Sequence, residues 1–129
     1  MIYNLLAYLI AQLATISFTT NGFKKVSTKN VVVLSENGGD PNHYHDRKDY
    51  AIQIMSRAED QPTARKQAYD VYNLINDKFG LTLPENTVKG ETFPEQKTWR
   101  IIANALPGYI GDDENGLPIF STNYIITTY

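Results

Sequence analysis

Tyr50-Ala-Ile-Gln-Ile-Met-Ser-Arg57, then Pro62 to Phe79, then Thr98 to Leu106 and Ile119 to Tyr129: the reading of these four stretches decides the fold. The first alternates apolar and polar residues, the period of a half-buried strand. Tyr50, Ile52 and Ile54 fall on one face; Gln53, Met55 and Arg57 fall on the other. The second has helical spacing. Ala64, Ala68, Val71, Tyr72, Ile75 and Phe79 form one stripe, with Arg65, Lys66, Asp70, Asn73 and Asp77 facing water. Pro62 suits the first turn, where its missing N–H costs nothing. Asp60 is the better capping type beside Gln61, and Gly80 is placed as the C′ residue. In the third stretch Trp99, Ile101, Ala103 and Ala105 alternate with Arg100, Ile102, Asn104 and Leu106, and Pro107-Gly108 closes the strand. In the fourth, Phe120, Thr122, Tyr124 and Ile126 alternate with Ser121, Asn123, Ile125 and Thr127. Gly111-Asp-Asp-Glu-Asn-Gly116 reads as an acidic hairpin turn before it.

Working outward, Met1 to Ala14 is apolar but carries no Lys or Arg; the first basic residue is Lys24. A signal peptide wants a positive n-region, and the run is too short to span a bilayer. It is expected to form an amphipathic helix with Leu5, Leu6, Leu9, Ile10 and Leu13 as its stripe and Asn4, Ala7, Ala11 and Gln12 largely off it, ending near Thr15. Asn21-Gly22 signals a turn. Asn30 to Ser35 is a β-branched strand, broken by the turn formers Glu36 to Asn42. Leu81 to Lys97, with Pro84 and Pro94, reads as an excursion holding a small hairpin. The segments Glu36 to Asp49 and Leu81 to Lys97 are long for connections, and both are expected to order on assembly. The sum is an α+β chain: a mainly antiparallel sheet of at least four strands with two helices packed on one face. With 129 residues, no internal repeat and no linker, one domain over 1–129 is expected.

Composition excludes several chemistries. With no Cys there are no disulfides, thiolate nucleophiles or Cys-based zinc sites. A net charge of −2 and a pI near 5.6 demand neither a nucleic-acid nor an acidic-membrane partner. The unusual count is nine tyrosines, a residue favoured both on strands and at protein interfaces.

Candidate chemistry is sparse. Asp40, His43, His45, Asp46 and Asp49 lie close in sequence, and His-X-His places two imidazoles on one side of a strand. No other His exists to complete a metal set, so His43 and His45 are expected to hold none. Gly38-Gly39 follows a strand but has no Lys-Ser/Thr after it. Asp112 to Gly116 has calcium-loop residue types without the calcium-loop spacing. No Gly-X-Ser-X-Gly presents a nucleophile. No catalytic, cofactor or metal residue is assigned, and the chain is not expected to be an enzyme.

Several pieces fall in a familiar order: the N-terminal helix, Val32-Val-Leu-Ser-Glu-Asn-Gly-Gly-Asp-Pro41, Ala51-Ile-Gln-Ile-Met-Ser-Arg57, the helix Ala64 to Leu74 with Ala68-Tyr-Asp-Val-Tyr72, and Asp113-Glu-Asn-Gly-Leu-Pro-Ile-Phe-Ser-Thr-Asn-Tyr124. Together they resemble the tail terminators, the minor capsid or tail-completion proteins of long-tailed bacteriophages, over most of the chain apart from Leu81 to Lys97. The resemblance implies a virion structural protein without a cofactor, assembled in the host cytoplasm as a ring of six copies. Such a ring caps the tail tube, ends its polymerisation and offers the head connector a docking surface. The implied partners are further copies of the chain, the tube protein, the connector protein and phage DNA in passage; no membrane is implied. Lys24, Lys25 and Lys29 become candidate channel-lining residues. Two alternatives stay open: a head–tail connector stopper or other neck protein, and a small metal- or ligand-binding domain using His43 and His45.

Overall fold

Alternation in the last strand is what centres the sheet. In a computed structural model describing residues 1–23, 28–41 and 47–128, the chain runs α1 (Ile2–Gln12), β1 (Phe18–Thr19), β2 (Val31–Pro41), β3 (Lys48–Arg57), α2 (Gln61–Ile75), β4 (Lys78–Phe79), β5 (Thr82–Leu83), β6 (Asn86–Val88), β7 (Glu91–Phe93), β8 (Gln96–Ala103), β9 (Gly108–Asp112) and β10 (Pro118–Thr128). Among these residues the sheet has eight strands in the order β1-β2-β3-β10-β8-β4, with β5 paired to β8 and β9 to β10. Strands β6 and β7 make a separate ribbon. Among the described residues only the β1–β2 pair is parallel. The architecture is α+β, as expected.

Register decides which face is buried. Ile54 pairs with Leu34 on one side and Thr122 on the other, and Ile52 pairs with Tyr124. These residues therefore point to one face, where Val32, Leu34, Ile52, Ile54, Tyr124, Ile126 and Ile101 meet Ile2, Leu5 and Leu9 of α1 and Val71 and Ile75 of α2 in a single cluster. Both helices thus lie on the same face. Burying each Leu, Ile or Val side chain stabilises by roughly 1.5–3 kcal/mol. Ala58, Ala64, Ala68 and Phe120 form a smaller cluster under the start of α2.

Several boundaries differ from the sequence reading. Strand β2 does not break at Glu36; it continues to Pro41, pairing Asp40 with Asp49 and Pro41 with Lys48. The turn-forming residues are spent on a bulge between Glu36 and Gly39 instead. Gly38 has φ +85°, and a Cβ on Gly39 would run into the Asp49 carbonyl. The expected loop from Glu36 to Asp49 is therefore mostly hairpin in its described residues. Helix α2 ends at Ile75, not Phe79. Asn76 is the cap, its Oδ1 accepting the Ala103 N–H at 2.8 Å, and Asp77 takes φ 55°. Phe79 leaves the stripe for β4 and stands 59 % exposed, while Gly80 turns into β5 rather than capping the helix. In β8 the alternation slips beside the Thr127/Thr128 bulge, so Thr98 and Ile101 are buried while Trp99 is exposed. The strand stops at Ala103, and Gly108 to Asp112, read as a terminator and turn, forms β9. Helix α1 ends at Gln12 rather than near Thr15.

The stripe of α1 is also rotated from expectation. Ile2, Leu5 and Leu9 are buried, Ile10 is 49 % exposed, and Asn4 is buried on another side. The reason is the excursion. Asn4 Nδ2 donates to the carbonyls of Pro84 (3.0 Å), Phe93 (3.2 Å) and Pro94 (2.8 Å). Asn86 Nδ2 donates to Tyr3 O at 2.9 Å, and the Tyr3 and Phe93 rings lie 4.7 Å apart. The helix is thus sandwiched between the sheet and the β6–β7 ribbon, which the sequence anticipated as a small hairpin.

Candidate assembly surfaces

Of the residues singled out from sequence, Lys24, Lys25, His43, His45 and Asp46 lie outside the described residues. Lys29 is exposed, its Nζ 3.7 Å from Glu59. Asp49 is engaged: its Oδ1 accepts the Thr127 hydroxyl at 2.7 Å and lies 3.7 Å from Arg47 Nε. No group of three or more His, Asp or Glu side chains stands close enough to hold a metal among the described residues. The acidic turn is also spoken for. Asp113 Oδ1 accepts the N–H groups of Leu117 and Asn115, each at 2.9 Å, and Oδ2 faces Arg57 at 3.4 Å. The Leu117 N–H chiefly, with that of Asn115 and the Arg57 charge, holds the Asp113 carboxyl below its ordinary range. These residue types close a hairpin rather than gather an ion.

Arg57 is a residue that sequence reasoning missed. Its side chain is only 7 % exposed. Nε and an Nη donate to the Lys29 and Thr28 carbonyls at 3.1 and 2.7 Å, and the guanidinium lies 4.9 Å from the Phe23 ring. It therefore anchors both sides of the basic stretch to the sheet. A strand pattern offers no signal for this, because an arginine at a strand end reads as solvated.

Two exposed surfaces remain, at different places on the sheet. Beside β4 and β8, Phe79 and Trp99 pack edge-on at 5.9 Å, with Arg100 over Phe79 and Arg47 over Trp99. Arg100 is held by Asp77 at 2.7 Å. The second surface lies where α2 begins. A groove of about 390 Å³ has Pro62, Arg65, Tyr69 and Phe120 among its walls. Tyr109 of β9 lies 5.9 Å from Phe120 at its side. The Tyr109 hydroxyl donates to Asp112 at 2.7 Å, and that bond raises the phenol pKa. Leu106, just before β9, and Ile110 within it are also exposed, Ile110 at 59 %. Arg65 lies 4.3 Å over the Tyr69 ring. Apolar side chains rimmed by charge, on a short edge strand, make a surface suited to protein contact.

The family described as bacteriophage tail terminator protein matches residues 11–129. The chain belongs to the tail terminator family. Comparison with curated proteins finds no match. Tail terminators are structural tail proteins, so this chain is a virion component that contacts other tail or head proteins. No helix among the described residues is long and apolar enough to cross a membrane. The terminator match begins near the end of α1, so Ile2, Leu5 and Leu9, which complete the core, precede the matched span.

Proposed function

We propose that the chain forms a ring, six copies in the closed form, that caps the tail tube, ends its polymerisation and presents the face on which the head connector docks. The observation that carries this reading is the terminator match across residues 11–129. The exposed apolar surfaces at β9 and at the β4–β8 edge are consistent with it, since a monomer gains nothing from Leu106, Ile110 and Phe79 in water. The ring assembles in the host cytoplasm, and phage DNA passes through it without sequence-specific contact. The stretch carrying Lys24, Lys25 and Lys29 is our candidate for the channel lining. The whole chain, 1–129, acts as one unit.

The test is direct. Purified chain added to polymerising tube protein should shorten the tubes in proportion to its concentration. Gold-labelled chain should sit at one end of each tube. Tubes of unchanged length with no label at either end would overturn the reading.

A further inference from the structure

The β6–β7 ribbon is a stiff finger. Lys89 and Gly90 have φ values of 51° and 81°, the two positive values of a type I′ hairpin turn. The hydroxyls of Thr87 and Thr92 meet across the strands at 3.1 Å. The base is pinned by Asn4 through the Pro84, Phe93 and Pro94 carbonyls. Such a finger binds with little ordering cost. It carries Glu85, Glu91 and Glu95, all exposed, and among the described residues none has a cationic partner.

The groove at the start of α2 offers those carboxylates a cationic counterpart, Arg65. Arg65 is exposed and pairs with no carboxylate among the described residues, whereas neighbouring Lys66 is held by Asp70 at 2.8 Å. The Arg65 guanidinium carbon lies 4.3 Å from the Tyr69 ring centroid, in a groove walled also by Pro62 and Phe120. An arginine over an aromatic face can still offer N–H donors to a carboxylate. Groove and finger also lie at opposite ends of the sheet. Phe120 is near the start of β10, while the finger follows β5, whose Thr82 pairs with Lys97 beyond the far end of β10. An 11-residue strand separates the two ends by on the order of 30 Å. One copy therefore cannot fill its own groove. Two unlike patches at opposite ends meet head to tail, an arrangement that forms a ring where the rotation between copies closes.

We infer that the β6–β7 finger of one copy docks in the α2–β10 groove of the next, with Arg65 receiving a finger carboxylate beside Tyr69. This rests on the ring reading above and names its contact. Four full-length forms test it: wild type, Arg65→Glu, the triple change Glu85→Lys, Glu91→Lys and Glu95→Lys, and an equimolar mixture of the two variants. All changes are at exposed positions, and circular dichroism confirms that each form is folded. Sedimentation over a concentration series, in solution and on purified tube ends, is the readout. Wild type should associate. Each variant alone should associate at least about tenfold more weakly, because like charges then meet in every contact. The mixture should regain wild-type association, since every groove then meets a finger of opposite charge. Variants that associate as wild type does, or a mixture no better than its components, would overturn the contact and leave the ring reading standing. Wild type that neither self-associates nor joins tube ends would remove both.

Discussion

Helix α2 carries its own start signals, and helix α1 carries none. Asp60 caps α2 by accepting the Thr63 N–H at 2.8 Å, Pro62 starts it, and Lys66 pairs with Asp70 one turn on. Helix α1 has no side-chain cap and no acidic or basic residue in its end turns. Indeed no charged residue precedes Lys24. An isolated 11-residue segment of this kind is marginal as a helix in water. Its helicity must come from what it touches: the sheet through Leu5 and Leu9, the ribbon through Asn4. The two helices show two routes to the same element, one written locally and one imposed by tertiary contact.

The strongest way to break this comparison is to hollow each helix in turn. Leu9→Ala in α1 and Ile75→Ala in α2 remove fully buried side chains from one shared cluster. Each should cost about 2–5 kcal/mol by urea denaturation, since a cavity remains in both cases. If Leu9→Ala costs less than about 1 kcal/mol, α1 is an appendage and not a wall of the core.

A smaller effect sharpens the same contrast. Asn4→Ala should cost about 1–3 kcal/mol, because carbonyls of Pro84, Phe93 and Pro94 lose a buried donor. The loss should be local as well as global: amide exchange in Asn86–Val88 and Glu91–Phe93 should accelerate more than exchange in β3 or β10. Uniform acceleration across the sheet would mean that the ribbon is not anchored through α1.

What the sequence made legible follows the same division. Strands β3 and β10 and the start of α2 could be read because their signals are local: period two, a capping Asp, a Pro in the first turn. Asn4 could not. On a helical wheel it lies off the apolar stripe, and only a ribbon some 80 residues away makes that side an interior. The end of α2 was missed because Phe79 keeps the helical period, while Asn76 bonds to Ala103 on a strand still to come. Strand β9 was hidden by its two glycines and by the bulge against Ile119 and Phe120. The candidate docking surface was legible only as a tyrosine excess. Tyr69 lines the groove and Tyr109 packs against its Phe120, but that these meet is a matter of topology.

The smallest expected effect separates the helices by pH. The Thr63 hydroxyl and N–H hold the Asp60 carboxyl below its ordinary pKa, and it is the charged form that caps. A depressed folded-state pKa means that this contribution is complete above the unfolded value, about 3.9, and is lost as pH falls through the folded value. Acidification should therefore loosen the first turn of α2, at Gln61 to Ala64. It should leave α1 untouched, because α1 has no side chain that titrates in that range. Amide exchange followed from pH 5 downward, corrected for intrinsic rates, should show protection falling in that turn in wild type. In Asp60→Asn, which caps without titrating, protection there should not depend on pH. Equal pH dependence in both forms would mean that the acid sensitivity comes from elsewhere.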